Sequence, residues 1–255
     1  MSYEKLFDLT HKVALVAGAA GGLARETCLG LSQFGARLAL VDADVKGLAR
    51  LSNDLSGRRI KTWFKKVDVS DETSVKNLVN TVVKEFGRLD ILINFAGVVW
   101  TNPIEKIRAS EFQKVVDINL KGSFLLSRQS LQAMVRRRSG KIILVGSVSG
   151  QIGRPFSAHY SASKGGVHSL VRTLAVEMAR KNIQINAVAP VFTLTKMSES
   201  VLKNPKLKKS ILSTIPMGRL GLPSDLVGTM IFLSSAASNF ITGQTLCVDG
   251  GCTIS

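Results

Sequence analysis

In the stretch HYSASK, residues 159–164, a phenol and an ammonium stand four residues apart at Tyr160 and Lys164. On a helix that spacing puts both side chains on one face, one turn apart. A free tyrosine titrates near pH 10 and is a poor base at neutral pH. A close, partly desolvated ammonium that favoured the phenolate by roughly 4 kcal/mol would lower that value by about three units. Tyr160 would then give and take a proton near neutrality, with Lys164 as the group that tunes it.

A second constellation opens the chain, in AGAAGGLA at 17–24. Gly18 lets a strand turn sharply. Gly22 lets backbone amides approach a pyrophosphate at a helix N-terminus, where the dipole favours negative charge. The next apolar run ends in Asp42, whose carboxylate suits the ribose hydroxyls of an adenosine. It would repel a 2′-phosphate at ~4 Å by several kcal/mol at an effective dielectric near 20. NAD(H) is therefore expected over NADP(H). Neither Ala43 nor Gly21 supplies an arginine for that phosphate, and Lys46 offsets the repulsion only in part. The same Asp42 also suits the cap of a helix beginning near Val45.

These groups need a frame, and the apolar pattern describes one. Strands are expected at 13–17, 37–41 (closed by Asp42), 60–67 (closed by Asp68), 90–94, 141–145 and 183–188, with helices at 23–34 and 74–86. Such β–α alternation implies a doubly wound, Rossmann-like parallel sheet of about seven strands with helices on both faces. Ligands of these sheets sit at the carboxyl ends of the strands.

The chain has 255 residues, 45% of them hydrophobic, and no linker of biased composition divides it, so a single α/β domain over 1–255 is expected. Its start lacks an apolar signal segment and its apolar runs are too short to span a membrane, which points to a cytoplasmic protein without membrane contact. Cys28, Cys247 and Cys252 have no metal-ligand spacing; they are expected as buried small apolar residues of a reducing compartment, and no metal is expected. The formal charge of +16 favours acidic partners. Its basic residues (Arg58 and Arg59, Lys65 and Lys66, 136–138, 203–209) are scattered without interleaved aromatics, so nucleic acid is not expected as a partner.

Taken together, these residues resemble the short-chain dehydrogenases/reductases along nearly the whole chain. The family's glycine turn matches Ala17, Gly18, Gly22 and Ala24. Its strand-end acid matches Asp42, its adenine-side pair Asp68 and Val69, and its Asn-Asn-Ala-Gly motif Asn94, Phe95, Ala96 and Gly97. The resemblance implies Asn119, Ser147, Tyr160 and Lys164 as the catalytic set, with Ser147 thirteen residues before Tyr160. It implies hydride transfer between a nicotinamide and a carbon bearing a secondary alcohol or ketone. Tyr160 would be the acid/base, Ser147 the hydrogen-bond donor to the reacting oxygen, Lys164 the ribose ligand, and Asn119 the holder of a water. It also places Leu23, Pro190, Thr193 and Thr195 against the cofactor. Departures fall at Ala17, Ala24, Phe95, Val191 and Thr193; Val191 is excluded from its position only if the backbone there needs a positive φ.

For partners, the resemblance implies a homotetramer, or a dimer, on long helices at 112–136 and 160–180, with the closing stretch ITGQTLCVDGG at a second interface. Trp100, Ser149, Gln151, Phe156, Phe192 and Met197 should border the substrate. A lid is expected at 191–215, where Lys196, Lys203, Lys206, Lys208 and Lys209 outnumber Glu199, so an anionic substrate is expected; the candidates are a sugar acid, a polyol or another small anionic hydroxy compound. The alternative is a 3-oxoacyl-carrier-protein reductase, whose two basic positions beside the active-site entrance match Arg138 and Lys181. A further alternative is an NAD-binding module without turnover.

Overall fold

Strand residues of this chain alternate between two cores. In β1 (Val13–Ala17) the side chains of Val13, Leu15 and Ala17 enter one, and those of Ala14 and Val16 the other. A strand buried on both faces must be apolar throughout, which is why these runs do not alternate with polar residues. The computed structural model describes residues 3–58, 60, 62–195, 198 and 204–255. Among them β1, β2 (Arg37–Asp42), β3 (Thr62–Lys66), β4 (Ile91–Asn94), β5 (Gly140–Val145), β6 (Ile183–Pro190) and β7 (Thr245–Val248) form one sheet in the order β3-β2-β1-β4-β5-β6-β7. Every neighbouring pair is parallel.

Helices α3 (Glu72–Phe86), α5 (Gly122–Arg137) and α6 (Ala158–Met178) cover the first core with Val75, Leu78, Leu126, Val167 and Val171. Helices α1 (Gly22–Gln33), α2 (Val45–Ser56) and α8 (Pro223–Ser234) cover the second with Cys28, Leu31, Leu48, Leu55 and Met230. Among the described residues two further α-helices, α4 (Ala109–Val116) and α7 (Pro205–Leu212), precede α5 and α8 in the chain. The strand order reverses between β1 and β4, whose last residues Ala17 and Asn94 are in register. That reversal opens a crevice at the carboxyl end of the sheet, the ligand position of such folds.

Four details differ from the sequence reading. The third strand is shorter, Thr62–Lys66, because it is the edge strand and pairs only with β2, so Val67 and Asp68 lie beyond it. The cap of α2 is Asp44, which accepts from the Gly47 amide at 3.0 Å; Asp42 does not cap it. The helix expected at 112–136 is interrupted by a π-helical turn, Asp117–Lys121, between α4 and α5. In the stretch 191–215, expected as a lid, Lys196, Met197, Glu199 and Lys203 lie outside the described residues, and α7 carries Lys206, Lys208 and Lys209 on an exposed surface. The thiols of Cys28 and Cys252 are buried and that of Cys247 is half-buried. Among the described residues no helix is long and apolar enough to cross a membrane.

Candidate active site

The crevice is lined first by backbone. Gly18 has φ +72°, a left-handed conformation, and a Cβ there would stand 2.4 Å from the Ala96 amide nitrogen. Only glycine allows both the turn and the contact. Asp42 braces this turn: one carboxylate oxygen accepts from the Ala20 amide at 3.0 Å, the other from Asp44 at 2.9 Å. Opposite it, Asn94 accepts from the Ala96 amide at 3.0 Å and donates to Ser123 Oγ at 2.9 Å, so the β4 loop is held against α5.

Helix α1 has Gly21 at its N-cap position, without a side-chain cap and with no acid in its first turn. Its first N–H groups are therefore open to an anion, unlike those of α2, α3 and α7, which Asp44, Asp71 and Asn204 cap. Thr195 lies over this end, since a Cβ on Gly22 would touch its side chain at 3.0 Å. Leu23 turns into the second core. Asp68 accepts from the amide and hydroxyl of Ser70, which hold its carboxyl below its ordinary value, and Val69 packs against Gly122. These features fit a dinucleotide: a glycine turn at a strand reversal, an open helix N-terminus, and an acid at the end of β2.

The second wall is chemical. Ser147 ends the loop after β5, and its Oγ accepts from the Ser149 amide at 3.1 Å. Tyr160 and Lys164 share a face of α6, with Lys164 Nζ 5.8 Å from the phenol ring centroid. Burial raises the Tyr160 phenol above its usual value, and a hydrogen bond with Ser147 pulls the other way. This corrects the expectation that Lys164 lowers it. The ammonium donates instead to the Val145 carbonyl at 2.7 Å, and burial brings Lys164 down to about 8. Gly97 lies beside this ammonium; a Cβ there would meet Nζ at 3.4 Å.

Asn119 sits in the π-turn, fully buried. Its amide bridges to Val98, accepting from the backbone N–H at 2.8 Å and donating to the carbonyl at 3.0 Å, and also donates to Ser163 Oγ at 3.0 Å. Ser163 passes the link to the Tyr160 carbonyl at 2.7 Å. The motifs pass over Ser163, although its place between Tyr160 and Lys164 in HYSASK was a usable signal. At the remaining positions, Val191 is buried without a positive φ, so the backbone accepts valine there, and Thr193 donates to the Val191 carbonyl at 2.8 Å. Pro190 ends β6 at the same edge. Arg138 and Lys181 precede β5 and β6, at the opposite edge of the sheet, so within one chain they do not border this entrance. Arg138 there donates to the Arg180 carbonyl at 2.9 Å.

A dinucleotide crevice that ends on a Ser–Tyr pair with a buried lysine one turn on defines a class, the nicotinamide-dependent oxidoreductases acting on CH–OH groups. Comparison with known proteins narrows the class. A family model described as "Enoyl-(Acyl carrier protein) reductase" matches residues 18–253. The 3-oxoacyl-[acyl-carrier-protein] reductase FabG of Thermotoga maritima is 36% identical over 246 residues, 96% of this chain and 99% of that protein. The gluconate 5-dehydrogenase of Gluconobacter oxydans is 33% identical over the whole of both chains, 255 residues. A gluconate 5-dehydrogenase from Burkholderia cenocepacia, solved in complex with NADP and tartrate, superposes with a TM-score of 0.94 at 30% identity over 98% of each chain. The chain belongs to the short-chain dehydrogenase/reductase family, whose enzymes use NAD(P).

Proposed function

We propose that this protein interconverts a secondary alcohol and a ketone with NAD(H), using Tyr160 as acid/base. The observation that carries the reading is Tyr160 and buried Lys164 one turn apart on one face of α6, with Lys164 Nζ 5.8 Å from the phenol ring centroid and the Ser147 hydroxyl near the phenol. Ser147 donates to the reacting oxygen and stabilises charge developing on it. In reduction Tyr160 gives its proton to that oxygen, and a phenol raised by burial is protonated at neutral pH, ready to do so. In oxidation Lys164, released from Val145, supports the phenolate. The nicotinamide, when bound, supplies or accepts the hydride. Gly18, Gly22, Leu23, Asp42, Asp68, Val69, Asn94, Ala96, Gly97, Tyr160, Lys164, Pro190, Thr193 and Thr195 hold the dinucleotide, and Asn119 fixes α6 and a water beside Lys164.

The preference for NAD(H) rests on Asp42 alone, since the Burkholderia relative holds NADP. The substrate we favour is a small anionic hydroxy compound such as a sugar acid. Its supports are the gluconate-dehydrogenase relatives, the tartrate in one of them, and Lys206, Lys208 and Lys209 on α7. The FabG relatives favour a second reading, reduction of a 3-oxoacyl group on an acidic carrier. Cofactor binding without turnover of any alcohol would leave only an NAD-binding module. The exposed Phe124 and Val176, on α5 and α6, support a homotetramer, and the three free thiols suit the cytoplasm.

The test is Tyr160→Phe, assayed with NAD and NADP against polyols, sugar acids and hydroxyacyl thioesters. We expect kcat to fall by at least about a hundredfold with cofactor affinity nearly intact. Retention of more than about a tenth of kcat removes Tyr160 from this role.

A further inference from the structure

Between Ser147 and Tyr160 the loop carries one cation, Arg154, that neither the family motifs nor the reaction above employs. It is half-buried, and one of its terminal N–H groups donates to the Cys252 thiol at 2.9 Å. Cys252 is buried in a small apolar cluster with Val148, the neighbour of Ser147, with Val191 after β6, and with Ile215 just beyond α7. The guanidinium therefore lies where the catalytic loop, the end of β6 and the lid meet. Its seat is pinned on the far side as well: Phe156, two residues on, has φ +62°, and its carbonyl accepts from the Asn102 amide at 2.8 Å. A bulky residue in the left-handed region marks a loop held by its surroundings.

A guanidinium has five N–H donors in a planar fork, and a thiol is a weak acceptor. Among the described residues Arg154 meets no carboxylate within ion-pair distance, whereas Arg25, Arg50, Arg88, Arg108, Arg128 and Arg219 each do. A half-buried arginine that meets no carboxylate among the described residues, on the loop between Ser147 and Tyr160, is matched by a planar anion that accepts two parallel hydrogen bonds. We propose that Arg154 is the carboxylate anchor of the substrate, the residue that selects a hydroxy acid over the neutral polyol of the same length. This rests on the oxidoreductase reading for the meaning of "substrate", but the binding it asserts is measurable without turnover. The lysines of α7 stand in solvent and act at a distance, while Arg154 makes the contact.

Two variants test it, Arg154→Gln and Arg154→Lys, each as the full chain loaded with NADH. Calorimetry with tartrate reads the anchor directly. We expect Arg154→Gln to weaken tartrate by at least about tenfold, the usual worth of a charge-assisted hydrogen-bond pair, and Arg154→Lys, which keeps the charge and loses the fork, to fall between. For turnover, D-gluconate and D-sorbitol differ at the terminal carbon. Arg154→Gln should raise KM for the acid by a similar factor with kcat within about threefold, and leave kcat/KM for the polyol unchanged. Tartrate binding that is undetectable in the unmodified protein, or unchanged in Arg154→Gln, overturns the anchor, as does equal loss on acid and polyol. Tartrate binding that Arg154→Gln abolishes in a protein without turnover on any alcohol sustains the anchor and removes the reaction instead.

Discussion

The two walls of the crevice are built on different terms. On the dinucleotide side the geometry belongs to backbone: Gly18 in its left-handed turn against Ala96, Ala20 tied to Asp42, Ala96 tied to Asn94. On the side we assign to the substrate it belongs to side chains on thinly packed elements; α7 buries none of its residues, and Arg154 reaches its partner across 98 positions of sequence. Backbone constraints admit one or two residue types and leave a signature. A solvated helix admits many, and so says little about what it meets.

The largest effect expected from this contrast is at Gly18. Gly18→Val should cost about 3 kcal/mol or more, through the left-handed φ and the clash with Ala96, and remove NADH binding along with the melting transition. A variant that melts and binds NADH like the unmodified protein would erase the distinction between the walls.

Next is His168, under the Ser147 loop, where Nε2 accepts from the Ser147 amide at 3.5 Å. Burial, with Lys164 and Arg172 nearby, lowers it from the ordinary 6.5 to about 4. The folded state therefore holds the neutral ring while the unfolded chain takes up a proton. Its contribution is intact above about pH 6.5 and is lost as the pH falls towards 4, amounting to about 2 to 3 kcal/mol. Urea midpoints at pH 7 and 4.5 measure it. His168→Gln should flatten that interval, and an equally steep loss in the variant would place the acid sensitivity elsewhere.

At Asp42, replacement by Ala together with Ala43→Arg should shift the ratio of kcat/KM towards NADP by about tenfold or more, by removing a repulsion and adding a phosphate partner. The Ala20 amide loses its acceptor, so some stability goes with the change. An unmodified protein that already prefers NADP would show that Asp42 serves the turn and not the ribose. Smallest is the effect at α7. Lys206→Gln with Lys209→Gln should lower kcat/KM for an anionic substrate by about twofold to fivefold at low salt, flatten its salt dependence, and leave stability within about 0.5 kcal/mol. A salt-independent kcat/KM in the unmodified protein would leave these lysines to solubility.

The same contrast explains what could be read in advance. Six of the strands, the glycine turn and the Tyr160–Lys164 face follow from apolar runs and spacing, because a doubly buried strand and a helical turn tolerate few alternatives. The choice between Asp42 and Asp44 as cap was not legible, since both are acids before the same helix and only the hydrogen bonds separate them. Nor was the direction of the Tyr160 shift: spacing brings Lys164 to the same face, but the Val145 carbonyl takes its ammonium. Arg154 was invisible for a simpler reason. An arginine in a polar loop looks like any surface charge until Cys252 is folded beneath it.

The π-turn at Asp117–Lys121 is an α-turn with one residue too many. Asn119 is therefore placed by chain length as much as by its hydrogen bonds. The widened turn absorbs the rotation of about 100° that an extra residue would otherwise add, so α4 and α5 keep the phase of one continuous helix. Deleting one residue here would rewind the turn into ordinary helix and leave the apolar stripe of α5 in its groove. What would go is the bulge that brings Asn119 to Val98 and Ser163. The turn thus acts as a local offset, setting one side chain out of line while the helix on either side runs straight on.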